Sequence, residues 1–265
     1  MKRSIPIWLI GLVATLTVII VPILIFLPKD APPTDNPWAF VQPTAIHTSH
    51  ADIIQGPFNT PQEVTRNCLT CHPEAAAQVM QTTHWTWESE PFNVPWRDQP
   101  VTIGKINQIN NFCIGARGNQ KKCMSCHAGY GWQENALYDF SKAENVDCLA
   151  CHADANLYGK GDYGEPAEGV DLLAAARSVQ MPTRETCGKC HFDGGGGNGV
   201  KHGDLDESLI FPSEQLDVHM GREDFQCMTC HTTQDHQILG RLVVDNYTVN
   251  PSEQVACTNC HAQIL

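Results

Sequence analysis

The pattern of apolar and polar residues divides the chain into an uncharged N-terminal run, a proline-rich stretch and a long mixed region. Residues 5–27 contain no charged side chain, and these 23 positions exceed the roughly 20 that span a bilayer as a helix. Lys2 and Arg3 precede the run, so residues 1–4 are predicted to be cytoplasmic and the chain after Lys29 periplasmic or extracellular. A cleavable signal peptide is the alternative, but its apolar core would be about 7–15 residues long.

The region after the predicted membrane helix begins with a tether and continues as one long domain. Five prolines between residues 28 and 43 predict an extended segment over 28–46, followed by a domain over 47–265. Short helices are predicted within Gln62–Gln81 and Gly169–Gln180, where alanine and leucine are frequent. Gly, Pro, Asn and Asp are common elsewhere, so loops should make up much of the remainder.

Cysteine and histidine change this picture, because they recur in one fixed pattern. Twelve of the 13 cysteines form six pairs separated by two residues, each followed directly by histidine. C-x-x-C-H is the attachment site of c-type haem: the two cysteines form thioethers, and the histidine becomes the proximal iron ligand. The pattern therefore predicts six covalently bound haem c groups. The six motifs are Cys68-Cys71-His72, Cys123-Cys126-His127, Cys148-Cys151-His152, Cys187-Cys190-His191, Cys227-Cys230-His231 and Cys257-Cys260-His261.

Three other uses of paired cysteines explain the pattern less well. Structural zinc sites do not need a histidine after every second cysteine. A disulfide framework would leave the regular histidines unexplained. A thioredoxin-like pair would occur once, within a βαβ unit, rather than six times.

Each haem iron has a second axial position, and the remaining histidines match the motifs in number. Bis-histidine ligation leaves iron without an open site, which suits electron transfer rather than catalysis. Methionine is another possible ligand, at Met80, Met181 or Met220, but the histidine supply makes it unnecessary. The six candidate distal ligands are His47, His50, His84, His202, His219 and His236.

The stretch CGKCHFDGGGGNGVKH contains a glycine run that imitates a nucleotide-binding loop. Gly194, Gly196 and Gly199 satisfy G-x-G-x-x-G, but no hydrophobic strand precedes them. Glycine lets backbone lie close to a flat porphyrin, so the run is predicted to pass beside a haem and bring His202 to an iron. A flexible loop with no such role is the alternative. The thirteenth cysteine, Cys113, is interpreted as a buried inert thiol, with an intermolecular or substrate-facing thiol as the alternative.

The net charge of −12 argues against nucleic acid as a partner, since its recognition needs a basic face. Acidity is compatible with a basic redox partner, and it also serves solubility.

Several stretches besides the motifs resemble the octahaem tetrathionate reductase family of multihaem cytochromes c. These are GPFNTPQEVTRNCLTCHPEAAAQVMQTTHWTWE, INNFCIGARGNQKKCMSCHAGYGW, ENVDCLACH and CGKCHFDGGGGNGVKHGDLD, within about residues 50–241. The resemblance implies closely spaced haem pairs, mostly bis-histidine ligation and one catalytic haem with a distal lysine. It also implies reduction of tetrathionate, nitrite or hydroxylamine.

Carried onto this sequence, the resemblance makes the second motif catalytic and Lys105 its distal ligand, with Lys121 and Lys122 as weaker candidates. Lysine ligates iron only as the neutral amine, so burial and the metal must lower its pKa. An ordinary solvated lysine is the alternative reading of Lys105. The chain has six motifs where the family has eight.

The expected fold is mainly α with extensive loops, organised around stacked haems, plus one N-terminal transmembrane helix. The expected function is electron transfer by a membrane-anchored hexahaem cytochrome c, with redox proteins as donor and acceptor. The alternatives are a reductase at a lysine-ligated second haem and a conducting subunit of a larger multihaem assembly.

Overall fold

The structure is a computed structural model, and it describes residues 7–26, 47–89, 91–110, 113–134, 136–192, 197–201, 203–240 and 255. Within these ranges the helices are short, apart from the N-terminal one, and they are separated by long loops. They are α1 (Ile7–Phe26), α2 (Pro61–Leu69), α3 (Ala75–Val79), α4 (Thr83–Thr86), α5 (Gln120–Cys123), α6 (Leu149–His152), α7 (Leu172–Arg177), α8 (Arg184–His191), α9 (Val218–Gly221) and α10 (Cys227–Cys230). Single 3-10 turns cover Met124–Cys126, Ala143–Asn145, Asp162–Gly164 and Glu207–Leu209.

The strands in the described ranges form one small hairpin. Strand β1 (Thr233–Gln234) pairs antiparallel with β2 (Gln237–Ile238), with Thr233 opposite Ile238. Asp235 and His236 make the turn, both with positive φ, 50° and 61°. This is the two-residue connection that matches the twist of hairpin strands.

Helix α1 lies within the predicted membrane span of residues 5–27. Across the described ranges, no helix combines the length and the hydropathy needed to cross a membrane. The predicted tether over residues 28–46 lies outside the described residues.

The predicted short helices are confirmed in both segments, with narrower bounds. In the first segment, α2 and α3 are separated at Pro73, whose ring disfavours a helical conformation at the preceding residue and which has no N–H to donate. In the second, α7 begins where the Asp171 carboxylate accepts from the backbone N–H groups of Leu173 and Ala174. This is a side-chain N-cap, and it satisfies two donors that the first turn leaves open.

In the part of the chain that the structure describes, apolar packing is divided among three small clusters rather than one large core. The first joins α2, α6 and α7 through Val64, Leu149, Ala175 and Ala176, each at most 1% exposed. The second cluster contains Trp87, Met124 and Trp132. The third contains Ala76, Trp85 and Val146.

The second and third motifs are joined by an antiparallel backbone bridge between Gly129 and Val146. On either side of it, the Tyr130 N–H donates to the Asn145 carbonyl over 2.8 Å, and the Asp147 N–H to the Ala128 carbonyl over 3.0 Å. These bonds position the end of one motif against the start of the next.

Candidate functional site

All five described C-x-x-C-H motifs form helical turns. Cys227–Cys230 is α10 itself, α8 ends on His191, and the His152 N–H donates to the Cys148 carbonyl over 3.1 Å. On a helical turn, residues three and four apart lie on one face. In the α-helical motifs, both thiols and the imidazole therefore lie on one face, as attachment of one planar group requires, whereas His127 of the second motif follows a 3-10 turn in an extended conformation.

In three motifs, a backbone carbonyl binds the Nδ1 atom of the histidine. His152 Nδ1 lies 3.0 Å from the Gln180 oxygen, His191 Nδ1 2.5 Å from the Gly203 oxygen, and His231 Nδ1 2.8 Å from the Leu239 oxygen. A carbonyl can only accept, so Nδ1 carries the proton and donates in each case. The Nε2 lone pair is left for a metal, and ring orientation is set as in other metal-binding histidines.

The fold brings three motif histidines next to histidines outside the motifs. The ring centres of His50 and His72 are 6.2 Å apart, and His47 stacks on His50 at 5.1 Å. The other two pairs are His84 with His191 at 6.2 Å and His152 with His236 at 6.4 Å.

The separation within these pairs is that of two axial ligands of one metal. A metal–imidazole nitrogen bond is about 2 Å, and the ring centre lies about 1 Å behind the nitrogen, so rings on opposite sides of one metal have centres about 6 Å apart. In the part of the chain that the structure describes, no group of three or more His, Cys, Asp or Glu side chains is placed to hold a metal. Two axial imidazoles with four porphyrin nitrogens between them would complete an iron site, so haem fits these residues.

Desolvation favours the neutral form of several of these imidazoles, which is the form that binds metals. It is the main cause that lowers the pKa of His84 to about 4, with the neighbouring His191 and Lys105 acting in the same direction. Burial also lowers the pKa of His152 and of His236.

Cysteines of different motifs lie close together. Cys68 of the first motif lies beside Cys148 of the third. Cys126 and Cys190 link the second with the fourth, and Cys187 and Cys227 the fourth with the fifth. These contacts give two groups of motifs, and the backbone bridge between Gly129 and Val146 joins the two groups.

The second motif differs from the others because its histidine is enclosed by aromatic side chains. His127 is 1% exposed, and burial lowers its pKa to about 3. The Trp132 indole N–H donates to His127 Nδ1 over 3.1 Å, and His127 Nε2 lies 2.7 Å from the Trp85 carbonyl. Neither ring nitrogen is free, so ligation by His127 requires the ring to give up one of these hydrogen bonds. The other aromatic neighbours within about 6 Å are Trp87, Tyr138 and Phe140.

Comparisons with known proteins agree with this geometry. Residues 67–153 match the model of the family described as cytochrome c554 and c-prime. An uncharacterized protein of Archaeoglobus fulgidus is 22% identical over 249 residues, covering 75% of this chain and 82% of the relative. The crystal structure of octaheme cytochrome c from Shewanella oneidensis is 44% identical, covers 81% of this chain and superposes with a TM-score of 0.66.

The family model covers the first three motifs. The chain is a multihaem c-type cytochrome. It spans about half (48%) of the length of the Shewanella cytochrome. The prediction that the chain binds haem c covalently is confirmed by these matches. The number of six haems and the resemblance to tetrathionate reductases stay predictions.

Some predicted ligands of this multihaem cytochrome lie outside the described residues. They are His202 and the sixth motif, Cys257, Cys260 and His261, together with Gly194 and Gly196. At the end of the glycine-rich loop, Gly203 binds His191 through its carbonyl, and the Leu205 N–H donates to the His191 carbonyl over 2.8 Å. Gly203 and Leu205 therefore contact the fourth motif, and the prediction that the glycine run brings His202 to an iron stays a prediction. Gly199, at φ +67°, adopts the left-handed conformation that favours glycine.

The remaining predicted residues of the cytochrome lie at three places. The Lys105 ammonium is 5.1 Å from the Trp87 ring centre, and its charge acts on Cys123 of the second motif. His219 lies in α9, 5.5 Å from the Phe225 ring. Lys121 and Lys122 form ion pairs with Asp162 at the surface. The prediction that Cys113 is buried is wrong: this residue is exposed, because it occupies a surface turn with φ +59°.

Sequence reasoning did not identify the backbone carbonyls that orient the histidines or the aromatic residues around His127. A carbonyl has no signature in the residue type, so Gln180 and Leu239 could not be found from sequence. Trp85 and Trp132 were detectable only as aromatics near motifs. The buried ion pair of Asp147 and Lys160 was likewise missed.

Proposed function

We propose that this multihaem cytochrome transfers single electrons along a series of haems, each iron held between two histidines. The observation that carries the proposal is the set of three histidine pairs, His50 with His72, His84 with His191 and His152 with His236, at 6.2 to 6.4 Å. Bound haem supplies a one-electron iron(III)/iron(II) couple. The chain supplies the ligands, their tautomers and the contacts between motifs.

The hydrogen bonds at Nδ1 support this role as much as the pair distances do. A histidine whose Nδ1–H is bound to a carbonyl keeps one ring orientation in both oxidation states. Little rearrangement then accompanies the change in charge. Filled axial positions also leave no site for a substrate, which favours transfer over catalysis.

The proposal is tested by removing one distal imidazole. In His84→Ala, the methyl side chain cannot reach the iron, so one haem should change from low-spin to high-spin while the others remain low-spin. Resonance Raman and electron paramagnetic resonance spectra of the oxidised protein measure this change.

The matched control is Gln81→Ala, which alters an exposed side chain in the same segment. It should leave the spectrum unchanged. Retention of every low-spin signal in His84→Ala, with haem content intact, would remove His84 from the ligand set.

A second function, reduction of a small oxyanion or of hydroxylamine, is favoured by one observation at the second motif. Neither nitrogen of His127 is free, and the Lys105 ammonium lies beside Trp87 and Cys123. One haem in the series would then have ligands of a different kind, as the resemblance to tetrathionate reductases implies.

Turnover with a reduced viologen dye tests this second function. Tetrathionate, nitrite and hydroxylamine are the substrates to compare, with Lys105→Met against the exposed Lys142→Met as control. The reductase predicts loss of turnover in Lys105→Met alone. No turnover of any of the three by the unaltered protein would rule this function out for them.

We further propose that residues 5–27 anchor the cytochrome to the cytoplasmic membrane, with the haem domain on the outer side and redox proteins as donor and acceptor. The uncharged run and the preceding Lys2 and Arg3 support this arrangement. Membrane fractions should retain the full chain after high-salt washing and release a chain that begins at residue 47. Equal release of both would contradict anchoring.

A further inference from the structure

A buried ion pair lies between the second and third motifs. The Asp147 side chain is 0% exposed and that of Lys160 6%, and their charged atoms, Oδ2 and Nζ, are 2.5 Å apart. The Tyr158 hydroxyl donates to the same carboxylate oxygen over 2.9 Å, and the Ala150 N–H donates to the other over 3.0 Å. The Lys160 ammonium also donates to the Gly129 carbonyl over 3.1 Å.

The two charges belong to different motifs. Asp147 directly precedes Cys148, and its bond to Ala150 lies inside the third motif. Lys160 binds Gly129, two residues after His127, and thus lies at the second motif. The negative end of the pair is therefore at the third motif and the positive end at the second.

Stability alone is a weak reason for this arrangement. Two charges removed from water recover little net free energy from their attraction, and apolar residues of similar volume often serve as well. A buried charge does have a strong effect on a neighbouring redox centre, since the surrounding dielectric constant is low. Reduction of a haem adds one electron, which a nearby cation favours and a nearby anion opposes.

We propose that Lys160 and Asp147 give the haems of the second and third motifs unequal reduction potentials. Lys160 raises the potential at the second motif, and Asp147 lowers it at the third. An electron then moves downhill from the third motif to the second. This inference rests on the proposed function, because it concerns the same bound haems.

The test is an optical redox titration of the complete haem-loaded protein. Asp147→Asn removes the anion and Lys160→Met removes the cation. At a fixed applied potential, the reduced-to-oxidised ratio of one haem should rise at least tenfold in Asp147→Asn and fall at least tenfold in Lys160→Met. For a one-electron couple, tenfold corresponds to about 59 mV.

Lys160→Arg is the conservative control, since it retains the cation, and it should leave the potentials close to those of the unaltered protein. Shifts in the same direction for the two charge-removing variants, or no shift with haem content intact, overturn the proposal. If either single variant loses its haems, the double variant Lys160→Met/Asp147→Asn is measured. A narrower spread of potentials supports the proposal, and an unchanged spread overturns it.

The haem content of the unaltered protein is measured first, by mass. Absence of covalent haem overturns the proposed function itself. Failure of the ion-pair proposal is distinguished by intact haem without the opposite shifts.

Discussion

Replacing Arg184 by methionine should weaken the connection between the fourth and fifth motifs. Arg184 is the first residue of α8, which carries the fourth motif, and its side chain is buried, at 9% exposure. Its guanidinium donates to the carbonyls of Phe225 over 2.6 Å, Ile210 over 3.3 Å and Met220 over 3.3 Å. These acceptors belong to the segment that leads into the fifth motif at Cys227.

The magnitude follows from these bonds. A short hydrogen bond to a charged group contributes about 1.5–3 kcal/mol, and a buried carbonyl left without a donor costs about 1–3 kcal/mol. The contact with Asp224 adds little, because that side chain is 79% exposed. Arg184 Nε is buried with no hydrogen-bond partner, so its removal offsets the loss of unfolding free energy by about 1 kcal/mol. The net loss of unfolding free energy is then about 2–4 kcal/mol.

Thermal unfolding of the haem-loaded protein, followed by far-ultraviolet circular dichroism, measures this loss. For a domain of this size 1 kcal/mol shifts the Tm by about 2–4 °C, so Arg184→Met should lower it by about 4–16 °C. The control is Arg66→Met on an exposed position of α2, which should change the free energy by less than about 0.5 kcal/mol. Equal Tm values for the two variants would refute the role given to Arg184.

Two further substitutions test the packing next to the motifs. Gly129→Ala places a methyl group 2.6 Å from the Trp85 ring and 2.8 Å from the Asn145 oxygen, so chemical denaturation should show a loss of about 1–3 kcal/mol in the free energy of unfolding. The control Gly115→Ala, whose methyl group has no atom closer than 3.7 Å, should lose less than about 1 kcal/mol. Equal losses in the two variants would contradict this packing. Thr65→Val removes a buried 2.7 Å bond to the Val146 carbonyl and should cost about 1–3 kcal/mol by the same assay. The exposed Thr70→Val should be near neutral, and a loss as large as that of Thr65→Val would show that burial of the carbonyl is not the cause.

Local chemistry was predictable from sequence where it depends on spacing. C-x-x-C-H spans one helical turn, so the common face of its thiols and imidazole follows from residues such as Cys187, Cys190 and His191 alone. The short helices were also predictable, since alanine-rich segments and the capping residue Asp171 act locally.

Long-range partners were not predictable in the same way. His236 reaches His152 across 84 positions (236 minus 152) because a hairpin turn places it there, and no residue type encodes that distance. Asp147 and Lys160 each look like surface residues in sequence, and only the fold shows that both are buried and paired.

Near-infrared magnetic circular dichroism of the oxidised, purified chain tests the central claim most directly, because the band positions identify the axial ligands of low-spin haem iron. The histidine pairs at 6.2 to 6.4 Å predict at least three bis-histidine haems per chain. A spectrum with fewer than three such haems, or with only high-spin iron, would contradict the account.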